Sequence, residues 1–80
     1  MNHELNHCLI HGTAGLIAMA RYFEETYSLR LTLMRLNNSM LHLHFHVYDA
    51  EYIALLVDEC LQMDISVEES CPEVILNIPL

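Results

Sequence analysis

Residues 29–47 read LRLTLMRLNNSMLHLHFHV, and the two halves of this stretch alternate with a period of two around a polar interruption. Leu29, Leu31 and Leu33 alternate with Arg30, Thr32 and Met34. After Asn37-Asn38-Ser39, Leu41, Leu43, Phe45 and Val47 alternate with His42, His44 and His46. Successive side chains of a strand point to opposite faces, so the pattern predicts two half-buried strands joined as a hairpin. Directly opposed residues share a face, which makes the loop length a question of register. A two-residue Asn37-Asn38 loop sets Leu33 against His42 and Leu31 against His44, mixing apolar with polar partners. A three-residue loop of Asn37, Asn38 and Ser39 sets Leu33 against Leu43, Leu31 against Phe45 and Leu29 against Val47, with Met34, Thr32 and Arg30 beside the histidines. The three-residue loop is therefore expected, with an Asn in the left-handed region.

On either side of the hairpin the apolar period is helical. Over residues 4–27, Leu5, Leu9, Gly12, Leu16, Met19, Ala20, Phe23 and Tyr27 fall on one face of an amphipathic helix, and His3, His7, His11, Arg21 and Glu25 lie opposite. After the hairpin, Asp49 reads as the N-cap of a second helix over residues 50–63, with Glu51 near its positive end. Ile53, Leu56, Val57, Cys60 and Met63 form its apolar face. Residues 64–72 read as a polar, acidic connection in which Ile65-Ser66-Val67 is at most a short extended piece. Residues 73–80 then form a strand with Val74, Leu76, Ile78 and Leu80 on one side. No internal repeat or low-complexity tract is visible. The order α-β-β-α-β predicts one small α+β domain over residues 1–80, in which two helices cover one face of a three-stranded, mainly antiparallel sheet. The third strand is expected beside the first, or else at the edge of the second. Open edges make strand pairing between copies, and so a homodimer, the natural mode of self-association.

The 80 residues are 54% hydrophobic and carry a formal charge of −8, a combination that excludes a disordered polar chain. That charge is confined to one half. Residues 1–48 balance Glu4, Glu24 and Glu25 against Arg21, Arg30 and Arg35, whereas residues 49–80 hold eight carboxylates and no Lys or Arg. A chain with three arginines and no lysine has little from which to build a phosphate-binding surface, so direct nucleic-acid binding is not expected. No apolar run reaches the roughly 18 residues of a membrane span. The segment before Ala18-Met19-Ala20 lacks the basic start of a signal peptide. Cys8, Cys60 and Cys71, three cysteines without C-x-x-C spacing, suit reduced thiols and a cytoplasmic location.

Two histidine rows are ligand-competent in spacing. His3, His7 and His11 share a helical stripe, and His42, His44 and His46 share a strand face, where zinc or another transition metal is a conceivable guest. The two rows point to different sides of a two-layer domain and do not meet within one chain. Polar surface positions that happen to be histidine explain both rows as well. Catalytic motifs are absent: no nucleophile elbow, no glycine-rich loop before a helix, and Asp58 and Glu59 diverge by about 100° on their helix. The chain therefore reads as a binding protein and not as an enzyme, and no cofactor is required.

In its small size, acidity and want of motifs, the chain is similar to phage or mobile-element inhibitors of the anti-CRISPR kind. That resemblance implies an inhibitor or adaptor that blocks a basic, nucleic-acid-binding surface of a protein partner. The contact residues expected for it are Glu51, Asp58, Glu59, Asp64, Glu68 and Glu69, whose carboxylates project a negative field. The alternatives are a histidine-based metal module, and a self-associating subunit that buries Arg30, Thr32, Met34 and the strand histidines against a second copy.

Overall fold

The computed structural model describes residues 12–80. Helix α1, Gly12–Tyr27, leads into strands β1, Leu29–Asn37, and β2, Met40–Val47. A 3-10 turn at Ala50–Tyr52 opens helix α2, Ile53–Gln62, which is followed by strands β3, Ser66–Ser70, and β4, Glu73–Pro79. The class is α+β, as the sequence predicts, but the sheet has four strands in the order β1-β2-β4-β3, all antiparallel. The part of the first helix expected over residues 4–11, with its three histidines and Cys8, lies outside the described residues.

The core lies between helices and sheet. Met19, Ala20, Phe23 and Tyr27 of α1 and Leu56 and Cys60 of α2 pack with Leu41, Leu43, Phe45 and Val47 of β2 and Val74, Leu76 and Ile78 of β4. The alternation in β2 and β4 is what delivers two parallel apolar rows to the helices. Asp49 does cap the second helical segment, its Oδ1 accepting the Glu51 N–H at 3.0 Å. Leu56, Cys60 and Met63 of the expected apolar face are buried.

Two expectations are corrected. The hairpin turn is a two-residue one, Asn38-Ser39, flanked by the pair Asn37 and Met40. Both turn residues are left-handed, φ 50° and 61°, the geometry of a type I′ turn whose twist matches that of the strands. The face conflict that such a short loop creates is removed by a bulge between Leu31 and Leu33. The register from Leu29 to Leu31 is the expected one, and past the bulge every partner shifts by one. Met34 consequently turns to the core side, opposite Leu43, and Leu33 to the far side, opposite His44. The Thr32 hydroxyl donates to the His44 carbonyl at 3.1 Å across the bulge. Replacing Ser39 with glycine, which adopts positive φ without strain, is expected to stabilise the fold by about 0.5–1 kcal/mol in urea denaturation.

The second correction concerns residues 64–72, which hold β3 in a second two-residue hairpin around Cys71-Pro72. The last strand lies at the edge of β2, the second of its two expected places, and not beside β1.

With β3 in place, the described residues form two α-β-β halves related by a pseudo-two-fold axis between β2 and β4. Leu43 pairs with Leu76 on that axis, and Leu41 with Ile78 and Phe45 with Val74 flank it reciprocally. Val47 N–H donates to the Pro72 carbonyl and Leu80 N–H to the Ser39 carbonyl, both at 2.8 Å, so each inner strand ends on the turn of the other hairpin. Each helix is also followed by a left-handed residue, Ser28 at φ 55° and Asp64 at φ 58°.

The face of the sheet turned away from the helices is ordered in rows, because cross-strand partners share a face. One row runs Arg30, His46, Glu73, Ser70. The next runs Leu33, His44, Ile75, Glu68, and the third Arg35, His42, Asn77, Ser66.

Candidate functional site

Helix α2 is apolar on more than its core face. Leu55 and Leu61 are 60% and 70% exposed, although the packing of Leu56 and Cys60 fixes the helix orientation. A stripe of Ala50, Ile53, Ala54, Val57 and Leu61 forms the floor of a shallow open groove of ≈ 590 Å³ between α2 and the β3 side of the sheet. The two charged residues lining it are Asp58 of α2 and Glu69 of β3. Spacing explains Asp58, which sits four residues from Ala54 and three from Leu61 on the same helical stripe. Strand alternation explains Glu69, whose partner Val74 is a core residue, so that Glu69 stands on the helix side.

The structure separates the six carboxylates expected at the contact surface. Asp58 and Glu69 meet at the groove. Glu59 turns towards α1, where its Oε1 accepts the Tyr22 hydroxyl at 2.6 Å and ties the two helices. Glu68 lies on the opposite sheet face and accepts from Asn77 Nδ2 at 2.8 Å. Glu51 stands exposed in the 3-10 turn that opens α2, and Asp64 in the turn after it. Sequence reasoning missed the apolar floor, in which Ile53 and Val57 of the expected core face line the groove beside Leu61, which lies outside that face and carries the signal.

The strand histidines occupy the far face in a polar network. His42 Nδ1 donates to Asn77 Oδ1 at 2.6 Å, and His44 Nδ1 lies 3.6 Å from Glu73 Oε1. His44 Nε2 is buried without a hydrogen-bond partner, and the cross-strand neighbours of His44 are Leu33 and Ile75. His46 meets Tyr48 edge-on with ring centroids 5.0 Å apart. Among the described residues, no three His, Cys, Asp or Glu side chains come together as a metal site. His3, His7 and His11 lie outside the described residues.

Of the two described thiols, Cys71 is exposed in the β3-β4 turn and Cys60 is buried. Burial pushes the Cys60 thiol up to about 12, with the adjacent Glu59 carboxylate adding to the effect. Iodoacetamide is therefore expected to modify Cys71 in the folded protein and Cys60 only after unfolding. Peptide mass mapping before and after denaturation reads this directly, and modification of both sites at equal rates would contradict it.

No helix among the described residues is long and apolar enough to cross a membrane. Comparison of the chain with known protein families, curated proteins and solved structures finds no match.

Proposed function

We propose that the protein is a non-catalytic binding module that acts as an inhibitor or adaptor by occupying a basic surface of a protein partner through the α2-β3 groove. The observation that carries this reading is an apolar floor flanked by Asp58 and Glu69, in a half of the chain without a single Lys or Arg. An exposed apolar stripe supplies affinity by burial, and the carboxylates choose the sign of what approaches. The partner segment therefore combines Lys or Arg with apolar side chains, as the rim of a nucleic-acid-binding surface does. Glu51 and Asp64 flank the two ends of α2 and extend the negative field, while Glu59 accepts from Tyr22 and Glu68 stands on the opposite sheet face, away from the groove.

Three labelled peptides of equal length test the reading: one of Lys and Leu, one of Lys and Gly, and one of Glu and Leu. Fluorescence anisotropy is expected to show micromolar, salt-sensitive binding of the first, at least tenfold weaker binding of the second, and none of the third. Combining Asp58→Lys with Glu69→Lys is expected to weaken the first at least tenfold while leaving the melting temperature within a few degrees. Equal binding of the two lysine peptides, or indifference to the double charge reversal, would overturn the groove as the site.

A further inference from the structure

The far face of the sheet changes chemistry strand by strand. The β1 column offers Arg30 and Arg35, the β2 column is histidine, and Glu73 and Glu68 stand in the β4 and β3 columns. With neutral imidazoles the two arginines balance the two glutamates. The whole −8 then belongs to the remaining residues of the chain, where nine carboxylates face Arg21 alone. Two copies of so acidic a chain repel each other, and an electroneutral face is where that repulsion is smallest.

The sheet edges are poorly suited to strand pairing between copies. Strand β1 is bulged, and its Leu31 N–H is already bonded to Glu24 Oε2 of α1 at 2.8 Å. Strand β3 is five residues long and carries two adjacent glutamates. Bulges, short length and charge are devices that discourage edge pairing. Self-association is thereby directed to the face.

We propose that the open sheet face docks a second copy of this chain, sheet on sheet, about a two-fold axis parallel to the strands. Such an axis lays β1 of each copy over β3 of the other, and β2 over β4. Glu68 of the second copy then falls over Leu33, which is half exposed in the single chain, with Arg30 and Arg35 on either side, and Glu73 lies over His46. A two-fold axis across the strands would instead bring Arg30 over Arg35, so the charge pattern selects one packing. Four strands spaced by about 4.8 Å and three rows spaced by about 6.8 Å give a footprint of roughly 400 Å² per copy. That is about half the area per partner of a standard stable interface, so the dimer is weak and concentration-dependent.

Sedimentation equilibrium from low micromolar to millimolar protein tests this without any partner peptide, and with Asp58 and Glu69 intact. The wild-type mass is expected to rise towards twice that of the chain. R30E/R35E and E68R/E73R should each self-associate at least tenfold more weakly, because their faces become uniformly acidic or uniformly basic. Mixed in equal amounts, the two variants should form a heterodimer at least as tight as the wild-type dimer. Circular dichroism checks that each variant folds, and Leu33→Glu, an exposed substitution that sets a carboxylate against Glu68 of the second copy, gives an independent disruption that spares the core. A wild-type mass that stays monomeric, variants that associate as the wild type does, or a mixture that fails to associate would each overturn the proposal.

Discussion

Replacing Phe45 with alanine is expected to destabilise the fold by about 3–5 kcal/mol. Phe45 is fully buried in an inner strand, pairs with Leu31 on one side and Val74 on the other, and meets Phe23 of α1 with ring centroids 6.3 Å apart. Its removal takes away the group that joins the two strands to the helix layer, and a buried Phe→Ala change costs about 3–5 kcal/mol. A chain of this length holds roughly 4–12 kcal/mol in total, so the loss consumes much or all of the margin. Leu33→Ala is the matched control, since Leu33 is half exposed on the far face and its truncation should cost at most about 0.5 kcal/mol in dilute solution. Urea denaturation followed by circular dichroism reads both. A Phe45→Ala variant that keeps a cooperative transition within about 1 kcal/mol of wild type would show that the core is not organised around this ring.

The elements that could be read from the sequence are those whose side chains face two different media. Leu41, Leu43, Phe45 and Val47 alternate with histidines because one side of β2 packs on helices and the other does not, and the same holds for Val74, Leu76 and Ile78. Strand β3 has no such contrast. In Ser66-Val67-Glu68-Glu69-Ser70 only Val67 packs against the core, so an edge strand carries the composition of an acidic loop. Without β3 the place of the last strand is underdetermined, and the two-fold repeat is hidden. Leu41, Leu43 and Phe45 correspond to Val74, Leu76 and Ile78, a likeness of hydrophobicity with one identity. The register past Leu31 escaped for a different reason. A bulge obeys no period, and the preference of a short hairpin for a left-handed pair at Asn38-Ser39 outweighed uninterrupted alternation.

The candidate site divides in the same way. Every carboxylate around α2 was visible in the sequence, but which of them meet depends on β3. Glu68 and Glu69 are neighbours in sequence and lie on opposite faces of the sheet, one bonded to Asn77 and one at the groove. A count of acidic residues could not separate them. The floor of the groove needed the tertiary fact that Leu56 and Cys60 already satisfy the core, which leaves Leu61 as surplus apolar surface.

Alkaline pH is expected to weaken the fold through Cys60 by up to about 4 kcal/mol. The thiol is wholly inaccessible in the native state and titrates at about 12 there, against 9.0 for an ordinary cysteine. Below pH 9 both folded and unfolded chains hold the proton, and the site makes no pH-dependent difference. Above pH 9 the unfolded chain releases its proton while the native state keeps it, so the unfolded state is favoured by about 1.4 kcal/mol for each further pH unit until the native thiol itself ionises. Other groups titrate in this range, and Cys60→Ala isolates the thiol from them. At neutral pH the variant should be less stable by about 1 kcal/mol, the cost of a small buried cavity. As pH rises, the wild type loses stability faster, and the two curves should cross between about pH 9 and 11. Urea denaturation of both proteins across that range provides the measurement. A constant difference would mean that the Cys60 thiol reaches solvent or a stabilising partner, contrary to its burial between α2 and the sheet.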